Sequence, residues 1–206
     1  PLHQSITLNS SIPEEKMVME LIDSSPFQRL RRIKQLGPAY LTFHGAESSR
    51  FTHSIGVFHL ARRAITHLSS FDSKLKDQKF ILYGAALLHD LGHGPLSHTS
   101  EEIFKIKHED WSAKLINSYQ EITNILDRYG KGNAKAISEL IQSKGTQNKL
   151  ILSLISSQLD CDRLDYLMRD SYSTGGIYGQ LDIDRIISAM TIAPDGDLAI
   201  HPKGLM

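Results

Sequence analysis

Ten residues, HDLGHGPLSH at positions 89–98, hold three imidazoles and a carboxylate. They follow QKFILYGAALL, a run apolar enough to be a helix buried on every side. Gly92, Gly94 and Pro95 break that helix. Adjacent helical side chains diverge by about 100°, so His89 and Asp90 can reach one point only where the helix stops and the backbone turns. Burying that pair without partners is costly. A divalent metal ion removes the cost, because imidazole nitrogen and carboxylate oxygen both ligate it.

Two further ligands are available. His53 lies in RFTHSIGVFHLARRAITHLSS beside Ile55, on the side that carries Phe58, Leu60, Ala61 and Ile65. On its own such a residue is more often a core histidine than a ligand. Asp162 opens DRLDYLMRD after an apolar segment. Inward-pointing side chains from three helices are how helical bundles build metal sites.

The elements that must position these groups are almost all helical. Residues 3–11 alternate apolar and polar and predict a short strand or extended arm. Pro13 opens one helix, and Ser25-Pro26 opens another that Gly37-Pro38 ends. AYLTFHG predicts a strand, and Asp77 a cap for the helix ahead of His89. Further helices are expected at about 97–106, 109–118, 119–128, 134–143, 148–159 and 162–172. STGGIYGQLD reads as a loop, DIDRIISAM as a helix, and TIAPDGDLAIH as a hairpin turning at Asp-Gly. The fold class expected is all-α, with small β elements near each end.

Of the 206 residues, 40% are apolar and 22% charged, as in an ordinary globular chain. Lys plus Arg and Asp plus Glu each number 23, so the chain lacks the basic balance of a nucleic-acid binder. Cys161 has no partner for an internal disulfide. No apolar run approaches membrane-spanning length and the start is not signal-like, so a cytoplasmic, membrane-free protein is expected. PLHQSITL at one end and HPKGLM at the other suggest a piece of something longer.

FQRLRRIKQLG, RFTHSIGV, LLHDLGHGPLSH, His108-Glu109 and DCDRLDYLMRD occur in this order over residues 1–187. Together they resemble the HD-domain metal-dependent phosphohydrolases, in particular the deoxynucleoside triphosphate triphosphohydrolase branch. The resemblance implies an HD-domain helical bundle over 46–187, led by an arm and helices over 1–45. A hairpin over 188–206 would begin a C-terminal region that is cut short. It implies His53, His89, Asp90 and Asp162 as ligands of one divalent ion, whether Fe, Mn, Zn, Co, Ni or Mg. Asp162 is chosen over Asp160 because Asp162, Tyr166 and Asp170 share one helix face, leaving Asp160 as the cap.

The same resemblance sets Arg50, His93 and Arg163 against a triphosphate, to which planar guanidinium groups are suited. It makes His98, Glu101 and His108 an acid–base relay. Tyr166 would wall off the 2′ position of the sugar, Asp170 with Gln35 would bind the 3′-hydroxyl, and Leu36 would pack on sugar or base. Asp23, Gln28 and Arg31 correspond to an activating-nucleotide site between subunits of a dimer or tetramer, although the basic run reads equally as a solvated face. The reaction implied is hydrolysis of deoxynucleoside triphosphates to deoxynucleoside and inorganic triphosphate. Other nucleotidase or phosphohydrolase chemistry, or a catalytically weak binding module on the same fold, are the alternatives.

Overall fold

The computed structural model of the protein describes residues 2–145 and 148–202. Its elements run α1 (Pro13–Asp23), α2 (Ser25–Gln28), α3 (Arg50–Leu68), α4 (Lys79–Leu88), α5 (His98–Phe104), α6 (His108–Ser118), α7 (Gln120–Tyr129), α8 (Asn133–Ile141), α9 (Lys149–Ile155), α10 (Cys161–Thr174) and α11 (Ile183–Ala189). Strands β1 (Met190–Ile192) and β2 (Leu198–Ile200) close an antiparallel hairpin. Its turn is made by Asp195 and Gly196, the glycine at φ +86°, a conformation open to it at no steric cost.

Helix α3 is the axis of the bundle and lies against both α4 and α10. Its first turn is capped by Ser49, which accepts from the Thr52 amide. Phe58, Leu60, Ile65 and Leu68 are fully buried along it. Helix α4 is buried without a break from Leu82 to Leu88, as its all-round apolar sequence requires. Phe58 and Tyr83 meet edge to face at 5.2 Å between these helices. Helix α8 packs on α4 and α6, while α1 packs on α4 and α7, forming a second layer. Each fully buried leucine contributes roughly 1.5–3 kcal/mol, and α4 carries three of them at Leu82, Leu87 and Leu88. A rigid support thus lies directly behind His89. Among the described residues no helix is long and apolar enough to cross a membrane.

Two local expectations are corrected and one is resolved. Of the two forms expected for residues 3–11, an arm without strand pairing is the one present, so the paired strands stand near one end of the described chain. No sheet edge lies beside this arm, and its backbone pairs with side chains instead: Thr7 O with Arg62 Nη1 at 2.8 Å, Asn9 N with Glu15 Oε2 at 2.7 Å. AYLTFHG forms a 3-10 helix over Gly37–Leu41, entered by Gly37 at φ +51° and closed by turn bonds. Asp77 lies inside a 3-10 helix, Ser73–Gln78, that runs straight into α4, so the first turn of α4 needs no side-chain cap. The cap of that 3-10 helix is Asp72, bonded to the Lys74 amide.

Candidate metal centre

His53 is the fourth residue of α3, His89 and Asp90 follow the last turn of α4, and Asp162 is the second residue of α10. The Nε2 atoms of His53 and His89 face each other at 3.3 Å. Asp162 Oδ1 lies 2.9 Å from the first and 3.7 Å from the second. Asp90 presents Oδ1 at 3.5 Å from His89 Nε2 and Oδ2 at 3.6 Å from His53 Nε2. Donors bonded to one ion at about 2.1 Å in a tetrahedral shell stand roughly 3–4 Å apart. His53, His89 and Asp162 have about that spacing among themselves, and Asp90 adjoins both histidines.

Both Nδ1 atoms are already held. His53 Nδ1 meets Asp165 Oδ2 at 2.7 Å, and His89 Nδ1 donates to Ala86 O at 2.9 Å. A carbonyl only accepts, so His89 Nδ1 carries a proton and Nε2 is the nitrogen turned to the cluster. Outer hydrogen bonds of this kind fix ring orientation and tautomer for metal binding. The donor set therefore fits a divalent transition ion.

The electrostatics agree. Burial disfavours the Asp90 carboxylate, but the Arg50 guanidinium, followed by interactions with the His89 and His93 rings, outweighs it and holds its pKa well below the usual range. Burial likewise disfavours the Asp162 anion, and hydrogen bonds from His53 and His89 bring its pKa down. Burial of His53 is outweighed by bonds to Asp162 and Asp165, which raise its pKa to about 10. Protons are thus shared where a cation would displace them.

A second group of side chains adjoins the first. Glu101 Oε1 accepts from His98 Nδ1 at 3.1 Å and His108 Nδ1 at 2.6 Å. The His93 ring stacks on His108, centroids 3.9 Å apart, and meets His98 edge-on at 4.8 Å. His93 Nε2 lies 3.3 Å from Asp90 Oδ1 without the alignment of a hydrogen bond. Burial dominates there, lowering the His93 pKa to about 4, so His93 is neutral. Its neighbour His98 is 67% exposed. A cavity of about 480 Å³ opens beside His93, Glu101 and His108.

Arg50 is turned inward. Its Nη1 donates to Asp90 Oδ2 at 2.6 Å, and its Nε donates to Ser97 Oγ at 2.9 Å. Ser97 holds φ +53°, an uncommon conformation for a residue with a side chain, inside the turn that carries His93 and His98.

Tyr166 and Asp170 follow Asp162 along α10, both half-buried. Asp170 and Leu36 line a cavity of about 420 Å³ with Phe43 and Tyr178. Burial raises the Asp170 pKa. Gln35 Oε1 is buried with no hydrogen-bond partner. Arg163 is exposed, and Asp160 caps α10 by accepting from the Arg163 amide at 2.7 Å. Farther away, Gln28 Oε1 accepts from Arg31 Nε at 2.7 Å, and the Arg31 guanidinium lies 3.6 Å from the Phe51 ring centroid. Asp23 is exposed at the end of α1.

Sequence reasoning missed two residues here. Asp165, which holds His53, sits one turn beyond Asp162, and that spacing was its only signal. Arg29 donates to Leu91 O at 2.5 Å and His93 O at 2.9 Å, pinning the histidine-bearing turn. In the sequence it is one of several basic residues in a run.

The family model described as HD domain matches residues 50–168. The chain is 44% identical over 206 residues to uncharacterized protein YwfO of Bacillus subtilis, all of this chain against 46% of that one. It is 39% identical over 174 residues to the deoxynucleoside triphosphate triphosphohydrolase SAMHD1 homolog of Dictyostelium discoideum, 77% of this chain and 34% of that protein. A solved phosphohydrolase from Bacteroides thetaiotaomicron superposes with a TM-score of 0.80 at 33% identity, over 100% of this chain and 49% of that one. The chain spans less than half the length of these proteins.

Proposed function

Because the chain belongs to the HD domain family, we propose that it is a metal-dependent phosphohydrolase cleaving deoxynucleoside triphosphates to deoxynucleoside and inorganic triphosphate. The observation that carries the reading is the convergence of ligand atoms from His53, His89 and Asp162, with Asp90 adjoining both histidines, directly beside the His93, His98, Glu101 and His108 group. The likeness to the Dictyostelium triphosphohydrolase supports the choice of substrate.

A divalent ion held by those four residues would supply Lewis-acid polarisation at the α-phosphate. The remaining steps belong to the chain's own side chains. Water adds to the α-phosphorus, giving up a proton to solvent, as the bond to the 5′ oxygen breaks. His98 gives a proton to that departing oxygen, Glu101 holds its Nδ1, and His108 shares that carboxylate oxygen. His93 and Arg163 meet the phosphates. Arg50 holds the Asp90 carboxylate and reaches them from there. Gln35, with its unpaired Oε1, and Asp170 receive the 3′-hydroxyl, while Tyr166 occupies the space a 2′-hydroxyl would need. Leu36 offers only apolar contact, which tolerates several bases. In this reading Asp23, Gln28 and Arg31 serve an activating nucleotide between copies of a dimer or tetramer in the cytoplasm. The inward engagement of Arg50 favours one second reading, a smaller phosphoester at the same centre.

The test is phosphorus NMR on the metal-loaded chain with an equimolar deoxynucleoside and ribonucleoside triphosphate mixture. Tripolyphosphate and deoxynucleosides are expected, with ribonucleotides largely spared. Release of orthophosphate, or turnover of simple phosphoesters alone, supports the second reading instead.

A further inference from the structure

We infer that His3 is a positioning residue for the metal centre, acting through the buried carboxylate of Asp165 on the His53 ring. The inference rests on His53 being a metal ligand, as proposed above.

Asp165 is fully buried and takes no part in the donor cluster itself. Four donors converge on its two oxygens. Oδ2 receives His53 Nδ1 at 2.7 Å and Arg169 Nε at 2.8 Å, while Oδ1 receives Arg169 Nη2 at 2.9 Å and His3 Nε2 at 2.5 Å. Arg169 lies one turn along α10 from Asp165, and its Nη2 also donates to Thr52 O of α3 at 3.1 Å. His3 adds a second tie, from outside both helices. It comes from the N-terminal arm, its side chain only 8% exposed, and its ring packs on His59 of α3 with centroids 5.5 Å apart. Its nitrogen is thereby placed relative to the helix that carries His53.

Helix α3 is shaped for this contact. Gly56 lies one turn after His53, and a Cβ built there would stand 1.9 Å from Asp165 Oδ1. Glycine inside a helix costs about 0.5–1 kcal/mol relative to alanine, and at this position its gain is room for the carboxylate. Without His3, Oδ1 would keep Arg169 as its sole donor. The carboxylate would then be held less tightly, and the His53 ring with it.

The test compares Co(II) affinity, by chelator competition, and the Co(II) visible spectrum of the chain with those of His3→Leu and His3→Gln. Glutamine places an amide donor near the Nε2 position, and leucine has none. Loss of an outer hydrogen bond to a ligating histidine typically weakens metal binding 10–100-fold. His3→Leu is expected to lose about tenfold and shift the spectrum, with His3→Gln within about threefold of the parent. If His3→Leu does not fold, His3→Gln and His3→Asn carry the comparison, since the shorter amide should fall short of Asp165 and bind as the leucine variant would. Equal affinity and spectra for parent and donor-free variant overturn the inference while leaving the metal reading intact. Equal losses for His3→Gln and His3→Leu overturn it as well. Failure of the parent to bind Co(II) overturns both.

Discussion

Glu101 offers one oxygen to two imidazoles, and this asymmetry favours His98 as the proton donor in the proposed reaction. His108 is the closer partner and the more buried, whereas His98 reaches into solvent and toward the space beside His93. Burial opposes the Glu101 anion, but the two imidazoles hold its pKa low, so it stays charged and keeps both rings oriented. His98→Ala should cut single-turnover hydrolysis on the order of a hundred-fold, with bound metal unchanged. His108→Ala should cost less. Full rates in His98→Ala would transfer the acid role to His108. On α10, Tyr166→Ala should narrow the preference for deoxynucleotides in competition assays without moving metal content. If the preference persists unchanged, the sugar is selected elsewhere. Much of this was legible because the types and spacings are local: three imidazoles in ten residues, and a tyrosine and a carboxylate four and eight positions beyond Asp162. Asp165 and His3 were not legible. They are joined across 162 positions of chain, and nothing in the arm marks one histidine for a buried partner.

The turn between α4 and α5 works only if α6 approaches it closely. A Cβ on Gly92 would stand 2.3 Å from His108 O and 2.4 Å from Ser112 N, both backbone atoms that cannot swing away. Ser112 Oγ then ties the turn down, accepting from Gly92 N at 2.8 Å and donating to His89 O at 2.6 Å. Gly92→Ala should therefore destabilise the chain by about 1–3 kcal/mol, as overpacking does, and displace His108 from Glu101. Gly94→Ala is the control, since its Cβ meets only the Ser100 side chain, at 3.4 Å. Urea unfolding should separate the two variants. Equal midpoints would mean that α6 is not held by this contact. Element types mostly followed from periodicity, but the helix expected between Ser25 and Gly37 is α-helical only over Ser25–Gln28 and continues as a 3-10 turn to Arg32. A strand needs an edge to pair with, and 39–45 finds none.

Across the whole molecule, acid should weaken the fold through His59. Burial first, then the positive charges of His3, Arg62 and Arg63, lower its pKa from 6.5 to about 4. The unfolded chain therefore binds this proton more readily than the folded one. Stability from this group is complete above about pH 6.5 and is lost progressively as pH falls toward 4. His59→Gln should flatten that part of a melting-temperature profile. An unchanged acid limb would assign the loss to other groups.

The central claim, that α3, α4 and α10 together hold one divalent ion, is tested most directly by elemental analysis of the purified, metal-reconstituted chain beside His89→Gln/Asp90→Asn. These substitutions keep side-chain volume and leave Arg50 an oxygen to bond, so the fold should survive, as circular dichroism can verify. The parent should carry about one equivalent of metal, and the double variant a small fraction of that. Equal metal content in the two proteins would contradict the account.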